Sequence, residues 1–521
     1  MLTVVGRMFL IISFLFSGLS SVALAQTPDS VLQSILNGLE GGALTLQQAK
    51  DYALKNATSV RSAEALYMAA AGTLRKEKGY FDPSFFFSLN YEDLEEPTAS
   101  FFAGADVLVT GRTTSLTGLK LKLPVGTELE FSLNTTKLKT NSNFAFLNPE
   151  YNAFGSLSFR QPLLGGFESS GRKELTRAEL EYDAAKARYD QEVIAVESVV
   201  EQTYWSLYSA ERDYAVQKLT LERAEAFKKE TELRRKAGLV GPSEEANAKT
   251  FLAQQKLLLI DREEQLDSRS DQLAALIGVR PEGVPRRFKA TDNPPRNFSA
   301  ESVEEMIEKA LNSNLELKAA QKEVDAANSS ADAAGWEALP SVDVVGSLVS
   351  RSIGGDSQDV IFGGDTLRST TSGSFGDVLN QVFKRKFPGW SLGVELSLPI
   401  GLRSGLGEQD RLEAQAMNVK QRYIELTRIF EQKVRASHRE LIHGNDRLKA
   451  AEEGVEAAQE QVRIGMIEFQ NGQITAFELV QLSEDFAVAQ QRYSEALIKT
   501  VNAAASLKQL TSGKYSAAAN N

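Results

Sequence analysis

The chain has 521 residues, 42% of them hydrophobic and 24% charged, with a formal net charge of -11. That acidic balance, with no basic face to overrule it, argues against nucleic acid as a partner. Cysteine is absent, which excludes disulfides, thiol catalysis and thiolate metal sites and is compatible with an oxidising compartment.

Residues 1–25 read as a signal peptide: Arg7 supplies the positive region, Met8 to Leu19 the apolar run, and Ala23-Leu24-Ala25 the small-residue cleavage site. The mature chain then begins at Gln26, and with no Cys there a lipid-anchored start is not expected. Further on there is no run of about 18 apolar residues. Any crossing of a membrane by the mature chain therefore falls to β-strands.

A helix is expected over 46–80, with Thr45 as N-cap and Phe81-Asp82-Pro83 as its stop. The period then changes to two. Phe85, Phe87, Leu89 and Tyr91 alternate with polar residues, as do Leu119, Leu121 and Leu123, then Leu129, Phe131 and Leu133, then Tyr151 to Phe159. These strands, within 84–160, are separated by polar loops at one end and the short Pro124-Val125-Gly126 turn at the other. That layout suits an outer-membrane barrel, and equally a soluble β-subdomain.

From Arg172 to Ala237 there is neither Gly nor Pro. Tyr189, Val193, Val196, Val200, Thr203, Leu207, Ala210 and Tyr214 recur in steps of four and three, the seam of a coiled coil. A helix over 172–237 would be roughly 100 Å long. Pro242 opens a second helix, 243–277, and a Pro-rich linker over the surface is expected at 279–302.

The plan then repeats. A helix over 303–337 ends at Leu339-Pro340, strands fall within 341–398 around a Gly- and Ser-rich loop, a long helix spans 408–471, and a last helix covers 475–510 before a tail, 512–521. Pro83-Ser84 corresponds to Pro340-Ser341, Ala53-Leu54 to Ala310-Leu311, and Gly238-Leu239-Val240 to Gly472-Gln473-Ile474. Two structural repeats, 26–278 and 303–511, are a more specific signal than any single motif.

The duplicated plan resembles the TolC-like outer-membrane efflux protein family over essentially the whole mature chain. The resemblance is carried by Leu44-Thr45-Leu46-Gln47-Gln48-Ala49, the junctions Gln161-Pro162-Leu163-Leu164-Gly165-Gly166 and Leu398-Pro399-Ile400, and the turns around Gly238 and Gly472. It implies a mixed α and β membrane protein of a Gram-negative bacterium: a homotrimer whose outer-membrane β-barrel, set in lipid, continues into a long periplasmic α-helical barrel. It also implies a periplasmic adaptor and an inner-membrane transporter as partners. The expected function is the passive exit duct of a tripartite efflux pump or a type I secretion system. A coiled-coil structural protein without a pore is the alternative, with the strand blocks counting against it.

One departure concerns the strands. The family places two per repeat in its barrel, whereas 84–160 offers four. Thr114 to Thr136 is expected to form an extra hairpin outside the membrane; a larger barrel is the other possibility.

The resemblance also places a periplasmic gate at Glu244 and Glu478, just after the helix turns, with neutral Gln481 where relatives carry a second acid. The other reading is that both are first-turn acids favoured by the positive helix end. Phe469 and Ile474 stand where relatives use a Tyr and an Arg to lock the closed state. Adaptor contacts are expected at Gly238, Leu239, Val240, Gly472, Gln473 and Ile474. No catalytic group, cofactor or metal is expected: His438 and His443 lie on different helix faces, and the Gly-rich turns lack a phosphate-loop Lys.

Overall fold

The structure, a computed structural model, describes residues 28–167, 169–281, 287–295, 298 and 301–512. The expected signal peptide and the tail beyond Ser512 lie outside the described residues.

Helix α1 (Pro28–Asn37) and strand β1 (Gly42–Leu44) lead to Thr45. Thr45 caps α2 (Leu46–Asn56): its hydroxyl accepts from the Gln48 N–H while the Gln48 side chain accepts from the Thr45 N–H. Two donors orphaned by the helix start are thereby satisfied. The single helix expected over 46–80 is two, α2 and α3 (Thr58–Gly79), because Ala57 is extended, at φ -60 and ψ 125.

Strands β2 (Ser84–Pro97), β3 (Val107–Lys122), β4 (Glu128–Thr140) and β5 (Leu147–Pro162) follow, then α4 (Lys173–Lys236) and α5 (Pro242–Ile277). The linker expected over 279–302 contains a further strand, β6 (Phe288–Ala290), parallel to β1, with Phe288 and Ala290 buried. Its flanking prolines masked that short alternation.

The second repeat breaks its first helix at the matching place, into α6 (Val303–Ser313) and α7 (Leu315–Glu337). Asn314, fully buried, caps α7 by accepting from the Glu316 and Leu317 N–H groups. Next come β7 (Ser341–Ser357), β8 (Asp359–Phe362), β9 (Asp365–Arg368), α8 (Phe375–Phe383), β10 (Phe387–Ser397), α9 (Arg403–Gln470) and α10 (Ala476–Thr511). The stretch read as a Gly- and Ser-rich loop thus holds a hairpin and a helix. Helix α9 also starts five residues earlier than expected, taking in Gly405. A Cβ there would come within 2.7 Å of Ala338, so glycine permits a close approach instead of marking a turn.

The described chain divides into two compact units. One comprises the chain to Val60, Val193–Ala310 and Gln432–Ser512; the other comprises Arg61–Glu192 and Leu311–Glu431.

The second unit holds a six-stranded antiparallel sheet in the order β10-β7-β5-β4-β3-β2. The segment expected as an extra hairpin, Thr114 to Thr136, falls in β3 and β4, which lie inside this sheet between β2 and β5. Period-two alternation sorts the side chains by face. Phe85, Leu119, Phe131, Leu157, Leu348 and Trp390 face one another in register across all six strands, and all are exposed. The row on the opposite face reads Ser84, Lys120, Glu130, Ser158, Ser347 and Ser391. Ion pairs cross that polar face: Lys120–Glu130 and Lys122–Glu128 at 3.2 Å, and Arg160 with Asp343 and, at 3.5 Å, Glu395.

The first unit packs α2, α5 and the β1–β6 pair around α4. The fully buried Tyr204 donates its hydroxyl to the Leu44 carbonyl at 3.0 Å and accepts from the Thr291 N–H at 3.0 Å. Nearby, the Ala290 N–H donates to Glu211 at 2.8 Å, and burial pushes the Glu211 carboxyl up to about 8. In the unfolded chain that group titrates near its ordinary 4.5. Between the two values the folded state holds a proton the unfolded state has released, so stability falls as pH rises through this window. Glu211→Gln is expected to flatten the pH dependence of the unfolding midpoint there. It should recover on the order of a few kcal/mol at the alkaline end. Thermal unfolding followed by circular dichroism checks this, and an unchanged slope in the variant would refute it.

Candidate functional site at the helix turns

Both helix turns singled out by the sequence lie in the first unit. Helix α4 ends in a left-handed residue, Gly238 (φ +76), with Gly238 N–H on the Arg235 carbonyl at 3.0 Å and Leu239 N–H on the Arg234 carbonyl at 2.9 Å. Helix α9 ends identically: Gly472 (φ +74), Gly472 N–H to Phe469 at 3.0 Å, Gln473 N–H to Glu468 at 2.8 Å. This paired bonding satisfies carbonyls left free at a helix end, and the conformation is strained for any residue with a Cβ.

The following helices start differently. Gly241 offers no side-chain cap to α5, and Pro242 fills its first position. Thr475 caps α10 in a reciprocal box with Glu478: Glu478 N–H donates to the Thr475 hydroxyl at 3.3 Å, and Thr475 N–H donates to the Glu478 carboxylate at 2.7 Å. That backbone bond holds the Glu478 carboxyl below the usual carboxylate range.

Glu244 is half-buried in the first turn of α5 and enters no ion pair among the described residues. Gln481 is exposed. No hydrogen bond among the described residues joins Glu244, Glu478 and Gln481. Of the expected contact residues, Leu239 is 74% exposed, Gly238, Gly472 and Gln473 are exposed, and Val240 is half-buried. Ile474 instead packs on a cluster formed by Ala224, Phe227, Ala248, Phe251, Phe469 and Leu479, which joins α4, α5, α9 and α10.

The residues that tie the two turns together were not singled out by the sequence. The last turn of α9 has no basic residue of its own. Arg234 of α4 supplies the charge, donating to the Phe469 and Gln470 carbonyls at 3.0 and 3.4 Å with its guanidinium 4.3 Å from the Phe469 ring centre. Glu230 pairs with it at 2.9 Å, and Phe227 meets Phe469 edge-on at 5.6 Å. Phe469 therefore takes part in a tie between the turns, without a Tyr hydroxyl. Across the first turn Glu245 pairs with Arg235 and, at 2.6 Å, with Lys249, whose hydrogen bond lowers the Glu245 carboxyl. The only sequence signal for Arg234 was its place in a basic last turn.

Arg234→Ala removes a charged donor from two carbonyls, each bond of this kind being worth about 1–3 kcal/mol. Amide exchange at Gly472 and Gln473 is expected to accelerate, while Leu239→Ser leaves it unchanged. Equal exchange in both variants would show that Arg234 does not hold the second turn.

The sequence model of the family described as "Outer membrane efflux protein" matches residues 125–279 and 306–513. No match is found among curated proteins. The fold is similar to the open-state outer-membrane channel MtrE of Neisseria gonorrhoeae, with 17% identity and a TM-score of 0.60 over 90% of this chain and 89% of that one. It is also similar to the outer-membrane protein VceC of Vibrio cholerae (15%, 0.59, 90% and 96%) and the channel CmeC of Campylobacter jejuni (14%, 0.56, 90% and 85%). Matched over more than half its length and in both repeats, the chain belongs to the outer membrane efflux protein family of TolC-like channels.

Proposed function

We propose that three copies of the chain assemble into the exit duct of a tripartite efflux pump or a type I secretion system, working with a periplasmic adaptor and an inner-membrane transporter. The observation that carries this reading is the six-stranded sheet with an exposed apolar face and two open edges, β2 and β10. Open edges are not tolerated in lipid, so the sheet must close with others. Three copies supply eighteen strands, within the range of outer-membrane barrels. The apolar face meets lipid and the polar face, with its ion pairs, lines water. No helix among the described residues is long and apolar enough to cross a membrane, so the strands carry the crossing.

Passage is passive and the helix turns form the periplasmic gate, with Glu244 and Glu478 near the opening and Leu239 available to an adaptor. Repeated three times around an axis, their carboxylates favour cations. Opening requires the two turns of each chain to part, which the Arg234 tie resists.

Single-channel conductance of the purified protein in planar bilayers tests the reading. The parent is expected to pass a small, cation-preferring current. Glu244→Ala should reduce the preference; Glu478→Ala should do so while also loosening the α10 cap, and Arg234→Ala should raise the conductance. Folded trimers that stay silent in all four forms would favour a structural rod without a pore. A current indifferent to every substitution would keep the duct and discard this gate.

A further inference from the structure

Helix α8 occupies an unexpected place. It lies on the apolar face of the sheet at the end remote from the Pro124–Gly126 turn, over β4, β5 and β7. Val378 and Val382 are buried there against Ala153, with Leu133 and Tyr151 beside them, and Ser352 donates to the Gln381 side chain at 3.1 Å. The sheet is carved to receive it: a Cβ on Gly155 would stand 2.7 Å from Val382, and one on Gly354 would stand 2.6 Å from Val378. Below this seat the same face returns to Leu157, Leu348 and Trp390.

The side of α8 away from the sheet carries the exposed Asp377 and Asn380, while Phe375 packs its ring 5.7 Å from that of Tyr151 on the sheet. At the carboxyl end of the helix Phe383 is 66% exposed. Lys384, Arg385 and Lys386 follow directly, all exposed and in no ion pair among the described residues. The helix ends with Arg385 N–H on the Val382 carbonyl and Lys386 N–H on the Gln381 carbonyl, both at 3.0 Å, which puts Arg385 at φ +52. Glycine would hold that conformation without strain, yet the position carries a guanidinium. Lys137, on the same sheet face, lies 6.0 Å from the Tyr151 ring centre.

An exposed phenyl ring, Phe383, beside three cations in no ion pair among the described residues (Lys386 lies 5.6 Å from the Phe387 ring centre), at the loop end of an apolar face, matches the needs of a membrane boundary: ring into the acyl edge, cations on headgroup phosphates. We infer that α8 and Lys384–Lys386 form an interfacial anchor that binds anionic, phosphate-bearing headgroups of the lipid leaflet at the loop end of the sheet. This rests on the reading above that the apolar face meets lipid.

Because the chain lacks cysteine, a fluorophore can be placed through Phe383→Cys, or through Leu392→Cys on the apolar face, in the full-length protein reconstituted into phosphatidylcholine vesicles. Quenching by brominated phosphatidylglycerol is compared with quenching by brominated phosphatidylcholine. The probe at 392 is expected to respond equally to both. The probe at 383 should favour the anionic lipid by about fivefold for each cation engaged. Lys384→Gln/Arg385→Gln/Lys386→Gln should abolish that preference, and Lys384→Arg/Lys386→Arg should keep it. Quenching at 392 but not at 383 would place α8 outside the bilayer and overturn the anchor alone. Equal quenching at 383 by both lipids would overturn headgroup binding. A preference competed away by inorganic phosphate would mean a free-anion site instead. No quenching at 392 would overturn the lipid-facing sheet, and the anchor with it.

Discussion

A β-sheet leaves the backbone N–H and C=O groups of its outer strands unpaired, and here those strands are β2 and β10. In water the cost of such edges is small, because solvent satisfies them. In a hydrocarbon layer each unpaired group costs several kcal/mol. The apolar row from Phe85 to Trp390 gives this sheet no stable place in water, and its edges give it no stable place alone in lipid. Assembly with further copies satisfies both constraints, so the proposed duct follows from backbone chemistry as much as from family membership.

Features set by local chemistry were legible in the sequence. Thr45 is a cap because its neighbour three residues on is Gln48, and Gly238 and Gly472 end helices because only they hold a left-handed residue cheaply. Strand faces follow from period-two alternation. Features set by distant partners were hidden. Asn314 breaks a helix whose composition runs on unbroken, and β6 exists because β1 lies beside it. Arg234 finds its acceptors 235 and 236 residues away. The seat of α8 was invisible because glycines at 155 and 354 acquire meaning only when Val382 and Val378 lie over them.

At the turns, structural and functional demands fall on the same atoms. The Glu478 carboxylate completes a helix start, and the negative charge that does so is the charge a cation-selective constriction would use. Arg234 neutralises a helix end while holding two elements together. Charges so placed are inexpensive to keep, since each already compensates a helix terminus. Glu244 also stands in a first turn, but it makes no capping hydrogen bond and no ion pair among the described residues, which makes it the cleaner probe of a gate.

The order of strands in the sheet also sets an order in time. Strands β2 to β5 form a meander in which each strand pairs with its successor in sequence. Strand β7 joins β5 only across α4 to α7, as between Arg160 and Asp343, 183 residues apart. Short loops close sooner than long ones. A chain emerging from its amino end therefore presents a four-stranded, apolar-faced intermediate well before β7 and β10 exist. Such a surface invites aggregation for as long as the second half is missing.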